Sequence, residues 1–286
     1  MSRGGTGSAI QQYNCGVTSL PSYKVLEGTG RPLVLIHGVL SSNRQWEPNL
    51  PALSTVAQPV LLELFGHGNS PSPENTSSYT PESYASALEE IRRTLRAESL
   101  SLVGYSLGAR ITFEYALRHP HRVSAHIVTN SLSAFSTPEW IKTTRKVMAG
   151  IEQDVLKRGR PAIEAMPIHP KNSSRLDRGM KEGLCNDLAL SDPIGIAHTT
   201  TITALAPPLT KRMLDNQVPT LLTCGHLEKR FQDRRDWAEK HVPNLSVVDL
   251  NAAHAVNVEA AEEWNTVVVD FLKRHASDLS NPIVHA

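Results

Sequence analysis

Val103-Gly104-Tyr105-Ser106-Leu107-Gly108-Ala109-Arg110 is the stretch on which the fold turns. Ahead of it, Leu100-Ser101-Leu102-Val103 is a short apolar run expected to form a buried strand, and behind it Ile111-Thr112-Phe113-Glu114-Tyr115-Ala116-Leu117 predicts a helix packed on that strand. A serine between two glycines at a strand-to-helix corner sits in a strained turn. The glycines are needed because a Cβ at either position would collide with the neighbouring strand or helix. The Ser106 hydroxyl is thereby pushed out above the sheet, at a helix N-terminus whose free N–H groups and dipole favour a developing oxyanion. An ordinary Gly/Ser turn is the alternative for these residues alone. The flanking strand and helix favour catalysis, and so do the candidate partners downstream.

The surrounding chain predicts an α/β architecture. Tyr23-Lys24-Val25-Leu26-Glu27-Gly28 alternates as an edge strand, and Pro32-Leu33-Val34-Leu35-Ile36 is apolar on both faces, as strands covered by helices on both sides are. Further strands are expected at 60–64, 126–129, 220–223 and 245–250. Helices are expected at 81–95, 108–117, 234–241 and about 258–275, with Thr80 capping and Pro81 at the first position of the first. The pattern is a mostly parallel, doubly wound sheet. It breaks from about Leu132 to Thr210, where helical stretches (139–157, 175–185, 194–205) occur without a convincing strand. An insertion of that length is best read as a helical cap. The expected organisation is therefore a flexible segment over 1–22, a core from 23–131 and 211–275, a helical cap over 132–210, and a flexible tail over 276–286.

Composition narrows the partners. At 286 residues one large domain with an insertion is the simplest division. Lys plus Arg (29) nearly balance Asp plus Glu (28), without a long run of either sign, so neither nucleic acid nor an anionic membrane surface is an expected partner. Cys15, Cys185 and Cys224 are an odd, widely spaced set that argues against a disulfide framework or a zinc knuckle and fits a reducing cytoplasm. No signal-peptide core is visible, nor any run near the ~20 apolar residues of a membrane span. No metal site, cofactor motif or phosphate-cradling loop is expected, and the expected partner is a small-molecule ester. A homodimer is compatible with the sequence.

A serine nucleophile needs a base and an acid that orients it. Twelve histidines are present, so position has to select among them. His254, in Asn251-Ala252-Ala253-His254-Ala255-Val256-Asn257-Val258-Glu259, follows the last strand and precedes the last helix, at the same sheet edge as Ser106. His241 falls within an expected helix and reads as solvated. For the acid, Gly225-His226-Leu227-Glu228 places Glu228 beyond the penultimate strand; Asp233 and a solvated loop are the alternatives. The loop after 126–129 offers Asn130 rather than a carboxylate. The backbone N–H groups of Leu107 and of Val39, in His37-Gly38-Val39, are the expected oxyanion donors. The His37 side chain is read as scaffold, and Gly66-His67-Gly68-Asn69-Ser70 as a structural turn at the same rim. Tyr105, Phe135, Trp140, Met148 and Met166 are candidate pocket residues, although aromatic and methionine side chains on such helices are more often core.

The set His37-Gly38, Gly66-His67-Gly68-x-Ser70, Gly104-Tyr105-Ser106-Leu107-Gly108, Gly225-x-x-Glu228 and His254 resembles the α/β-hydrolase superfamily over about 23–275. Within it, the stretch from Gly104 to Arg110 and that around His254 are similar to the menaquinone-pathway lyases of the MenH (SHCHC synthase) type. In those lyases an arginine after the elbow binds a substrate carboxylate, which implies that role for Arg110. Carboxylesterases and C–C bond hydrolases of meta-cleavage products share the framework. Ala109 stands where a second glycine is usual, and Glu228 where an aspartate is usual. The expected activity is a carboxylesterase acting through an acyl-enzyme. The alternatives are a C–C bond hydrolase or MenH-like lyase, which would draw on Arg110 and on Arg145, Arg158 or Arg175, and a non-catalytic binding protein on the same fold.

Overall fold

The computed structural model of the protein describes residues 20–276. Cys15 and the ends expected to be flexible, apart from residues 20–22 and 276, lie outside the described residues. Seven strands, β1 (Tyr23–Val25), β2 (Pro32–Ile36), β3 (Gln58–Leu62), β4 (Leu100–Gly104), β5 (Val123–Thr129), β6 (Thr220–Gly225) and β7 (Leu245–Leu250), form one sheet in the order β1-β3-β2-β4-β5-β6-β7. Among the described residues only the β1–β3 pair is antiparallel. The helices used below are α1 (Pro81–Thr94), α2 (Leu107–Arg118), α3 (Pro138–Arg158), α4 (Arg178–Leu188), α5 (Pro193–His198), α6 (Gln232–His241) and α7 (Ala261–Ala276).

The doubly apolar strands explain the layering. Val34, Ile36, Val60, Leu62, Leu100 and Leu102 pack against Tyr84, Leu88 and Ile91 of α1 and Ile111 and Tyr115 of α2. Their alternates Leu33, Leu35, Leu61, Val103 and Ile127 pack on the other face against Trp264, Val268, Phe271 and Leu272 of α7. Successive side chains of a strand point to opposite faces, so a run without polar interruption needs cover on both. The Thr80 hydroxyl accepts the Ser83 N–H at 3.2 Å and Pro81 opens α1, as expected for that cap.

The chain leaves β2 in one direction to β3 and resumes on the other side of β2 at β4, so the sheet's topological switch lies between β2 and β4. Ligand crevices in such sheets form outside the C-terminal strand ends at that point. Five strand ends bring candidate residues to this edge: Gly38 and Val39 after β2, Ser106 after β4, Asn130 after β5, Glu228 after β6 and His254 after β7.

Some elements differ from the sequence expectation. β3 runs from Gln58 to Leu62 rather than from 60 to 64, because the Leu64 N–H turns to the His37 ring instead of the ladder. The helix expected from 175 begins at Arg178, where the Asp177 carboxylate accepts the Met180 N–H at 2.9 Å and fixes the start. The last helix is broken at Ala260 (φ −128°, ψ 48°) into a turn, Val256–Glu259, and α7. The helix expected over 194–205 is α5 continued by a π-helical turn, Thr199–Thr203.

Among the described residues none of 130–219 is in a strand. Leu40, Val155, Ile163, Met166, Leu188 and Ile196 form a separate cluster that joins α3, α4 and α5 to the loop after β2. Arg44 adds a two-pronged ion pair to Asp187 of α4, at 2.9 and 3.0 Å, and the Ser42 hydroxyl donates to the same carboxylate at 2.7 Å. No helix among the described residues is long and apolar enough to cross a membrane.

Candidate active site

Ser106 has φ 51° and ψ −113°, a left-handed backbone that a residue with a side chain adopts only when its surroundings force it. The forcing contacts come from close packing. A Cβ on Gly104 would lie 2.6 Å from the Ala109 nitrogen, and one on Gly108 2.8 Å from the Ile36 carbonyl carbon. The Ser106 N–H donates to the Thr129 hydroxyl at 3.2 Å, which ties the turn to the end of β5. Ala109 is fully buried.

The Ser106 hydroxyl lies 2.9 Å from Nε2 of His254, and Nδ1 of that ring lies 2.8 Å from Oε2 of Glu228. A carboxylate accepts only, so it fixes the proton on Nδ1 and leaves Nε2 free to accept from the serine. Glu228 is held in turn: the Asn130 side-chain amide donates to Oε2 at 2.9 Å and Nε of Arg230 to Oε1 at 2.7 Å. Burial of Glu228 opposes its ionisation, yet the hydrogen bond and charge of His254, with the Arg230 and Asn130 donors, outweigh it and hold the carboxyl at about 2. Asp233, the alternative acid, lies in the first turn of α6 and has no bond to His254.

Among the described residues no acceptor meets the N–H of Leu107 or that of Val39. The loop carrying Val39 is pressed against the serine, since a Cβ on Gly38 would lie 2.9 Å from the Ser106 Cβ and 3.0 Å from the Tyr105 ring. Two buried histidines lock this loop. His37 accepts the Leu64 N–H on Nε2 at 3.2 Å and donates from Nδ1 to the Gly38 carbonyl at 2.8 Å. His67 accepts the Leu40 N–H on Nε2 at 3.3 Å and donates from Nδ1 to the Phe65 carbonyl at 3.1 Å, while Leu40 itself is left-handed at φ 54°. Burial, with His37 beside it, lowers His67 to about 3 against the Phe65 hydrogen bond. Residues 66–70 thus do more than turn the chain.

The other candidate residues are placed unequally. The Tyr105 ring lies 5.3 Å from the His254 ring. Met166 belongs to the cluster with Leu40. Trp140 and Met148 are half-buried on α3. Phe135 is 1% exposed and packs edge-on against Phe113 and Phe231, inside the core. Arg110 is also 1% exposed, and its ionic partner is Glu114, one turn further from Ser106, at 3.8 Å. Glu114 also receives Arg212 at 2.8 Å and Arg118. Burial lowers Arg110 to about 10, against the pull of Glu114 and Glu82.

Sequence reasoning passed over Asn130. It is fully buried, and besides Glu228 it donates to the Gly225 carbonyl at 3.0 Å and accepts the Gly225 N–H at 3.0 Å. Its place directly after β5, on the rim that carries Glu228 and His254, is the signal that points to it.

The model of the alpha/beta hydrolase fold family matches residues 31–162. Proline iminopeptidase of Saccharolobus solfataricus is 32% identical over 274 residues, which cover 87% of each chain. A putative 2-succinyl-6-hydroxy-2,4-cyclohexadiene-1-carboxylate synthase of Bacillus subtilis is 27% identical over 247 residues, 84% of this chain and 89% of the relative. Carboxylesterase YbfK of the same organism is 24% identical over 251 residues, 84% and 79%. One scaffold thus carries three named activities among proteins similar to this chain.

Proposed function

The chain belongs to the alpha/beta-hydrolase family, and from that premise we propose that it is a serine hydrolase cleaving carboxylic esters of small acyl or aryl substrates through an acyl-enzyme. The observation that carries this reading is the continuous chain of hydrogen bonds from Ser106 through His254 to Glu228, at 2.9 and 2.8 Å, on a serine held at φ 51°. Ser106 Oγ attacks the ester carbonyl as Nε2 of His254 takes its proton, and Glu228 stabilises the imidazolium. The N–H groups of Leu107 and Val39 receive the oxyanion. His254 then gives the proton to the leaving alkoxide, the alcohol departs, and water repeats the sequence on the acyl-enzyme to release the acid. The helices of 138–203 serve as a cap over the acyl pocket, with Tyr105 and Met166 as its wall.

The placement of Arg110 favours hydrolysis over an elimination on a dicarboxylate. Such a reaction would draw on that guanidinium, which is 1% exposed and directed to Glu114. The test is turnover of p-nitrophenyl esters, acetate through long chain, by the wild type and by Ser106→Ala. Turnover of short esters that vanishes in Ser106→Ala supports the reading. No turnover of any ester by the folded protein overturns it and moves the assay to meta-cleavage diketones and the cyclohexadiene carboxylate intermediate.

A further inference from the structure

His254 lies in a loop between β7 and the turn Val256–Glu259, outside any strand ladder. Glu259 closes that turn and points its carboxylate back under the loop. Its Oε2 accepts the Ala253 N–H at 2.8 Å and its Oε1 accepts the Ala255 N–H at 3.0 Å, so the two oxygens hold the residues on either side of His254. The Glu259 side chain is only 8% exposed, and Nη1 of Arg175, in the segment leading into α4, lies 3.5 Å from its Oε2. The mechanism above uses Ser106, His254 and Glu228 and leaves this second buried carboxylate without a part.

We infer that Glu259 is a positioning residue for His254: it fixes the backbone on both sides of the imidazole, and Arg175 ties that clamp to the helical segment before β6. This rests on the proposed role of His254 as base. Hydrogen bonds from backbone N–H to a carboxylate are stronger than those between neutral groups. A base must stay within hydrogen-bond reach of the proton that it takes, and a displacement of about 1 Å can lower a rate about 100-fold. Two acceptors placed on one rigid carboxylate stop the loop from rocking about the His254 Cα. A glutamine offers one acceptor and one donor there and can hold only one of the two amides. An aspartate keeps the charge but is one methylene too short to span both.

The experiment compares the wild type, Glu259→Gln and Glu259→Asp by three readouts: the second-order rate of Ser106 labelling by a fluorophosphonate, kcat and KM on the best p-nitrophenyl ester, and the low-field proton resonance of the His254 Nδ1–H. Thermal unfolding checks that each variant is folded, and Ser106→Ala checks the site of labelling. The expected result for Glu259→Gln is a fall of about 10- to 100-fold in both labelling rate and kcat, with KM within about threefold and a broadened low-field resonance. Glu259→Asp is expected to fall less, about 3- to 10-fold, and serves alone if the glutamine variant does not fold. Labelling within about twofold of the wild type in a folded variant, with the resonance unchanged, overturns the inference, even where the melting temperature drops. The resonance separates this outcome from a failure of the hydrolase reading: a wild type that neither labels nor turns over esters sinks that reading, while loss of the signal in Glu259→Gln still reports the clamp.

Discussion

The side-chain amide of Asn130 donates to Oε2 of Glu228 at 2.9 Å, and that oxygen is the one that accepts from His254. The acid is therefore aimed from two directions, by the imidazole in front and by an amide fixed to both backbone groups of Gly225 behind. Asn130→Ala removes the rear support and leaves the buried Gly225 N–H without its acceptor. Stability is expected to fall by about 1–3 kcal/mol, measured as a shift in urea midpoint, and kcat by about tenfold. Asn130→Asp is expected to be worse in kcat, because a second carboxylate would lie against Glu228 and raise its pKa.

Glu228→Gln leaves the size of the side chain unchanged but no longer dictates which ring nitrogen of His254 carries the proton. Catalysis is expected to fall by about 10³- to 10⁴-fold with little change in KM, read from ester turnover. A fall of less than tenfold would show that another group orients the ring.

Gly225 is a packing requirement at the end of β6. A Cβ there would lie 2.8 Å from the Ala252 carbonyl oxygen and closer still to that of Ala253, the residue before His254. Gly225→Ala is expected to displace the His254 loop, lowering stability by about 1–3 kcal/mol and labelling of Ser106 by more than tenfold. Comparison with the milder Asn130→Ala shows which of the two supports the loop more strongly.

Acid should weaken the fold in two stages. Burial lowers His126 to about 3, and His67 is also at about 3, whereas both return to ordinary values near 6.5 when the chain unfolds. Between those values the unfolded chain binds more protons, so stability falls as pH drops through that window, by up to about 1.4 kcal/mol per pH unit for each ring. Glu228 acts lower: its contribution is present above about 4.5 and is lost as pH falls through about 2. Urea midpoints between pH 7 and 4.5 isolate the histidines. His126→Leu is expected to halve the slope, since His126 donates from Nε2 to the Thr112 hydroxyl and its Nδ1 has no partner among the described residues. A flat midpoint across that range would mean that the two rings are not neutral in the folded protein.

The sheet is legible because its strands carry short runs that are apolar throughout, such as 33–36, or nearly so, such as 100–103 with its single buried Ser101, a requirement imposed by helices on both faces. The serine turn was legible because only glycine tolerates the contacts that a Cβ would make at 104 and 108. Helix starts were less so, because the cap at Asp177 and the break at Ala260 depend on local backbone angles that periodicity does not register. Asn130 and Glu259 escaped for a common reason. Both act on backbone amides, Asn130 on Gly225 across the sheet and Glu259 on Ala253 and Ala255 within its own loop, and neither residue type advertises that role. The substrate role of Arg110 is implied only by the resemblance to the MenH-type lyases; its burial against Glu114 follows from the way α2 packs.

The edge position of β7 has a bearing on how the molecule comes into being. Among the described residues β7 pairs only with β6, and the loop that it carries brings His254 to a serine 148 residues earlier in the chain. During synthesis the turn bearing Ser106 can form while the ribosome has yet to deliver that loop. A serine without its base is a weak nucleophile, so with the role proposed for Ser106 the nascent chain stays chemically silent until β7 has docked.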